Sequence, residues 1–209
     1  DTAGVGTARI NLAATTYGTD KVIFGYGDNG SNVSLTNLVS NSGVVASDTT
    51  GVGTARDQIA AAGYGSTGQA LFGYGNTGAG FLSVTNLISN SGVVSADTAG
   101  VGTTRSFLSA TAYGADKAIF GYGNNGSNLS MTNLVSNSGV VAADVSGVGT
   151  ARHALSASRY GGDKGIFGFG ISATAITNLV SNLGVVAADT AGVGTARGYI
   201  ASAGYSTSA

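Results

Sequence analysis

The chain is most informative through what it lacks. Its 209 residues contain no Cys, so disulfides, thiolate metal sites and cysteine nucleophiles are excluded. There is no Pro and no Trp, and all ten acidic residues are Asp. Charged residues make up 9% of the chain, against roughly 25% in an average globular protein. Nine Lys or Arg against ten Asp leave a net charge of −1, too even for a nucleic-acid or polybasic membrane surface. A single histidine, His153, excludes a two-His metal site or mechanism. No apolar run approaches the roughly 18 residues of a membrane helix, and no membrane insertion is expected. The chain opens on Asp1 without a signal-peptide pattern, so a mature or excised segment is expected.

What is present is repetition. DTAGVGTAR at Asp1–Arg9 returns, with small changes, at Asp48–Arg56, Asp97–Arg105, Asp144–Arg152 and Asp189–Arg197. The steps are 47, 49, 47 and 45 residues. Each full unit continues with Tyr-Gly, then FGYG or FGFG from Phe24, Phe72, Phe120 and Phe167, then TNLV or TNLI, then GVV. The units are 1–47, 48–96, 97–143 and 144–188, with a partial unit 189–209, together one repeat domain. Tyr-to-Phe spacings are 7, 8, 7 and 7, and Phe-to-Thr spacings 12, 13, 12 and 10. Length therefore varies in two places only, which are expected to be solvent-facing turns.

Alternation, Val enrichment and Gly/Asn turns predict strands, four per unit: near Thr7–Thr15, Lys21–Gly25, Val33–Ser40 and Gly43–Ser47. Four strands in about 47 residues is the module of a β-propeller blade. The pattern GTARxxLAAxxYGxDKxIFGYG followed by SxTNLVSNxGVV resembles the kelch repeat, over the whole chain. That family's glycine pair is here split by an aromatic (Gly25-Tyr26-Gly27), and its Trp is missing. The resemblance implies an all-β propeller of four-stranded antiparallel blades; a β-solenoid or a trimeric β fibre is the alternative. The units are also similar to repeats in long bacteriophage proteins, which implies a virion fibre or decoration role.

Candidate sites are weighed against what a repeat needs for itself. Gly25–Gly30 matches GxGxxG, but a dinucleotide site requires a helix next, and a strand follows. No cofactor and no metal is expected. Arg9, Arg56, Arg105, Arg152 and Arg197 recur in every copy and are expected to be structural, pairing with the unit-opening Asp or with carbonyls of neighbours. His153 stands where other units have Ile10, Asp57, Ser106 and Gly198, and no GxSxG elbow accompanies it, so no enzyme is expected. The loops after FGYG pair an aromatic with amides and hydroxyls, the chemistry of sugar recognition. Possible glycan contacts are Tyr26, Asn29, Tyr74, Asn76, Tyr122 and Asn125. The expected function is a non-catalytic structural or interaction module, in an extracellular or virion-surface setting; a glycan-binding propeller is the alternative. Expected partners are other copies of the chain, further repeats of a longer one, or surface glycans.

Overall fold

The structure is a computed structural model that describes residues 4–171 and 175–204. It is all-β, with no helix among the described residues. The first unit forms β1 (Ala13–Tyr17), β2 (Lys21–Gly25) and β3 (Thr36–Val39). The second forms β4 (Ala60–Tyr64), β5 (Gln69–Asn76) and β6 (Phe81–Ile88). The third forms β7 (Ser109–Tyr113), β8 (Lys117–Asn124) and β9 (Asn128–Val135), and the fourth β10 (Ser156–Tyr160), β11 (Lys164–Gly168) and β12 (Thr177–Val180). Each trio is one antiparallel sheet in chain order.

The first hairpin turns on Gly18 and Thr19, both left-handed at φ 57° and 73°. Such a turn matches the right-handed twist of the strands it joins. The second unit carries its extra residue here, with Gly65 and Gly68 at φ 70° and 79°. The other variable loop follows the aromatic of FGYG. Tyr74 and Tyr122 sit at bulges, between Gly73/Gly75 and Gly121/Gly123, where the register slips.

Two expectations are corrected. Each unit contributes three strands, not four. The GVV segment meets the third strand through one isolated bridge (Val39↔Val45 in the first unit) and the opening of the next unit adds another (Thr36↔Thr49), too few to extend the ladder. The strand expected at Thr7–Thr15 is broken at Asn11, whose φ of 54° turns the chain out of the extended region before Ala13.

The core lies between the sheets. Three apolar clusters join the first unit to the second, the second to the third and the third to the fourth. Phe72, Phe120 and Phe167 are fully buried at the centres of these joints. Each ring lies against a glycine of the preceding sheet; a Cβ on Gly25 would stand 2.5 Å from the Phe72 ring. Burying such a ring stabilises a joint by about 2–3 kcal/mol. The first strands, β1, β4, β7 and β10, are neighbours in that order. They line one shared groove of about 430 Å³.

Candidate functional site

Most recurring letters of the repeat resolve into one hydrogen-bonded knot per unit. In the second unit the Arg56 guanidinium donates to the carbonyls of Tyr74 (2.6 Å) and Thr54 (2.9 Å) and to Asn86 Oδ1 (2.7 Å). Asn86, the Asn of TNL, donates to Asp97 at 2.8 Å. Asp97, which opens the next unit, accepts from the backbone N–H and hydroxyl of Thr54, at 3.0 and 2.6 Å. Gly53 lies so close that a Cβ would stand 2.4 Å from this carboxylate, and its φ is 78°. Thr103–Arg105–Asn133–Asp144 and Thr150–Arg152–Asn178–Asp189 repeat the arrangement, and Thr7–Arg9–Asn37–Asp48 does so except that the buried Arg9 Nε finds no partner. Hydrogen bonds from Thr7 and Asn37 hold the Asp48 carboxyl below its usual range. At Asp97 burial works in the opposite direction, and the bonds from Thr54 and Asn86 outweigh it.

The same Arg locks adjacent units. Arg56 stacks on the Tyr26 ring at 4.3 Å, Arg105 on Tyr74 at 4.2 Å and Arg152 on Tyr122 at 4.1 Å. Phe72 meets Tyr26 edge-on at 5.2 Å. Each tyrosine hydroxyl donates to a carbonyl of the following unit, that of Tyr26 to Val52 at 2.9 Å. Burial drives the Tyr74 hydroxyl up to about 12 and the Arg56 guanidinium down. Tyr26, Tyr74 and Tyr122 are therefore fully enclosed. As sugar platforms they are corrected: the next unit's Arg and Phe already occupy the faces a sugar would need. Asn29 and Asn125 are exposed and Asn76 half-buried, and the Asn76 amide oxygen accepts from Gly78 N–H within its own turn.

Variation is concentrated elsewhere. Asn11, Gln58, Phe107, Ala154 and Tyr199 occupy one column of the repeat, all with φ between 50° and 55°. Each after Asn11 donates its N–H to the carbonyl of the preceding member at 2.9–3.0 Å, so four bonds link the four full units and the partial one in a single ladder. Non-Gly residues rarely adopt this conformation, and such strain collects at functional positions. The row lines a cavity of about 150 Å³. Asn11 and Gln58 both donate to the Asp57 carboxylate, at 3.1 and 3.2 Å. Phe107 packs on Tyr199 (5.6 Å) and on His153 (5.8 Å). His153 Nδ1 lies 2.8 Å from Asn128 Oδ1, and burial lowers its affinity for a proton. A second outlier stands in the groove of first strands. Arg159 occupies the register of Thr16, Gly63 and Ala112, bringing the one charge to that lining.

The row and Arg159 escaped sequence reasoning. Their signal is column variability inside an otherwise fixed frame, without glycine to mark the left-handed backbone. Among the described residues no three His or Asp side chains gather as metal ligands. Ser172, Ala173 and Thr174 of the fourth variable loop, and Asp1 and Tyr205, lie outside the described residues. No protein-family model matches the chain, and comparison with curated proteins finds no match.

Proposed function

We propose that this chain is a non-catalytic structural and interaction module, a kelch-like propeller array that displays varied side chains from an invariant frame. The observation that carries the reading is the division of labour within the repeat. The recurring Arg, Asn, Asp, Thr and Tyr are consumed by the knots and joints, while Asn11, Gln58, Phe107 and Tyr199 vary on a constant backbone. A propeller-like layout is supported by first strands lining one groove, with second and third strands following outward in each sheet. The sparse charge and Thr/Asn/Ser/Gly surface favour an extracellular or virion-surface setting.

Carbohydrate binding is the second reading, and it moves to the row: exposed Tyr199 beside Phe107, with amides and the Asp57 carboxylate, offers stacking and hydrogen bonds together. Retention on immobilised polysaccharides, with an assay for new reducing ends, tests both. Retention lost on Phe107→Ser and Tyr199→Ser supports the row, whereas dependence on Asn29 and Asn125 favours the loops. Release of reducing ends would overturn the non-catalytic reading.

A further inference from the structure

Among the described residues, the outer face of the fourth sheet carries an interface that is half filled. Internal joints share five parts. A Phe ring covers a glycine, and a turn glycine (after Ser91, Ser138 and Leu183) covers a Tyr–Leu pair: Gly92 against Tyr17 and Leu38, Gly139 against Tyr64 and Leu87, Gly184 against Tyr113 and Leu134. A hairpin-turn bond joins neighbours, from Gly18 N–H to Gly68 O, Gly65 N–H to Asp116 O and Gly114 N–H to Asp163 O. An Arg stacks on an aromatic, and the ladder bond closes the joint.

Beyond the fourth unit the described residues of the partial repeat supply the last two parts. Arg197 stacks on Phe169 at 4.4 Å, and Tyr199 N–H donates to Ala154 O at 2.9 Å. Around Gly168 nothing comes nearer to a built Cβ than a Thr177 methyl at 3.4 Å. Leu179 is 40% exposed, and Tyr160 and Ile166 are half-buried where Tyr113 and Ile119 are buried. The first unit carries the complementary parts uncovered. Phe24 is half-buried, and Gly43 is exposed with nothing within 4 Å of a built Cβ, whereas Gly92, Gly139 and Gly184 are buried.

We infer that the outer face of the fourth sheet is a docking seat for the first unit of a second copy of this chain. The inference rests on the interaction-module reading and names its partner. The incoming Phe24 lies over Gly168, and the Ser42-Gly43 turn covers Tyr160 and Leu179, continuing the joint already made three times within the chain. The association is head to tail, so it propagates into rings or filaments. Residues 195–204 stand where the incoming Arg9 and Asn11 must go, so they compete. They are lightly seated: Arg197 is exposed, where Arg105 is fully buried, and residues 201–204 are exposed and form no strand, held to β10 through Ser202, which bonds to the Ser156 hydroxyl and the Ala157 carbonyl.

The test is sedimentation of the 209-residue chain over a wide concentration range, with circular dichroism as a fold control. Concentration-dependent association is expected. Phe24→Ala and, independently, Gly168→Leu, which fills the seat, are each expected to weaken it about tenfold or more, as loss of a central anchor does. Arg197→Ala, which loosens the competing segment, is expected to strengthen it, and Asn29→Ala to leave it unchanged. Association indifferent to both Phe24→Ala and Gly168→Leu would overturn the proposal, as would a monomer at every concentration, Arg197→Ala included. A monomer with residues 166–168 as protected from hydrogen exchange as 119–121 would place the occupant within the same molecule, and equally overturn it. None of these outcomes bears on polysaccharide retention, so the two readings fail separately.

Discussion

The third unit and the fourth share most of their sequence motif and differ in what lies beyond them. The third has a complete neighbour on each side, and Ile119, Phe120 and Tyr122 are fully buried. The fourth has the same Lys-x-Ile-Phe-Gly strand, yet Ile166, Gly168 and Phe169 are only half-buried. The difference teaches that a unit of this repeat does not own its core. Each apolar cluster belongs to a pair of sheets, so stability is a property of joints and follows nearest-neighbour logic.

The sharpest break in that comparison comes from the central rings. Phe120→Ala removes a fully buried side chain from the joint between the second and third units. It is expected to cost about 3–5 kcal/mol. Phe24→Ala, at the half-buried end, should cost roughly 1–2 kcal/mol by the smaller area it covers. Urea unfolding of the two variants measures the contrast, and equal losses would refute a core made of joints.

The arginines come next. Arg105 is fully buried, with bonds to the Tyr122 and Thr103 carbonyls and to Asn133. Arg105→Ala strands these acceptors and is expected to cost about 3 kcal/mol. Arg197 is exposed and keeps a bond to the Thr195 carbonyl. Its replacement should fall within about 0.5 kcal/mol of the parent chain.

Glycines sharpen the comparison from the opposite side, by adding an atom. A Cβ on Gly121 would stand 2.6 Å from the Phe167 ring, so Gly121→Ala overpacks the joint and is expected to cost about 1–3 kcal/mol. Gly168→Ala finds only ordinary contact, at 3.4 Å, and should be close to neutral. A matched pair of thermal melts decides it.

Acid, by contrast, should erase no difference between units. Asp48, Asp97, Asp144 and Asp189 are all held below the ordinary carboxylate value of 3.8. A carboxyl with a lower pKa in the folded state stabilises above its unfolded pKa and loses that contribution as pH falls through the folded one. Melting temperature is thus expected to hold down to about pH 4 and to decline below it. The loss should be modest, because solvent reaches these side chains (24% exposed at Asp48, 28% at Asp97 and Asp144) and screens their charge. In base the sign reverses: Tyr74, raised to about 12, costs stability as pH climbs from 10 towards 12.

Much of the frame is legible in the sequence because turn chemistry is local. The two indel sites fall on the Gly18-type hairpin and on the loop beyond the aromatic, where glycine announces left-handed backbone. The enclosure of Tyr26 is not legible. Its ring is covered by Arg56 and Phe72, thirty and forty-six residues further on, and nothing beside it in the chain reports that contact. The row at Asn11 is hidden for a different reason. A position at φ 50–55° filled by Asn, Gln, Phe, Ala and Tyr carries no glycine signature, because the ladder holds the backbone and residue preference does not. The GVV segment misleads through composition: its valines read as strand, while a single isolated bridge per segment reaches the third strand.

The smallest effect isolates one hydroxyl. Tyr122 donates to the Val148 carbonyl at 3.2 Å, and Tyr26 and Tyr74 make the equivalent bonds to Val52 and Val101. The fourth unit has Phe169 in this position, so its contact with the partial repeat, already short of a Phe ring, also lacks the hydroxyl. Tyr122→Phe deletes the bond from a closed joint and leaves a carbonyl unpaired, for an expected loss of about 1 kcal/mol. Phe169→Tyr supplies the missing donor opposite Val193. Val193 is 85% exposed, so its carbonyl competes with solvent for the new donor and the gain should be under about 0.5 kcal/mol. Hydrogen exchange at the Gly170 amide, which donates to the Arg197 carbonyl at 2.9 Å, reads the change locally. Slower exchange in Phe169→Tyr, with the global melt unchanged, is the expected result. A gain as large as the loss in Tyr122→Phe would mean that the fourth joint is as closed as the third, and the contrast between them would fall.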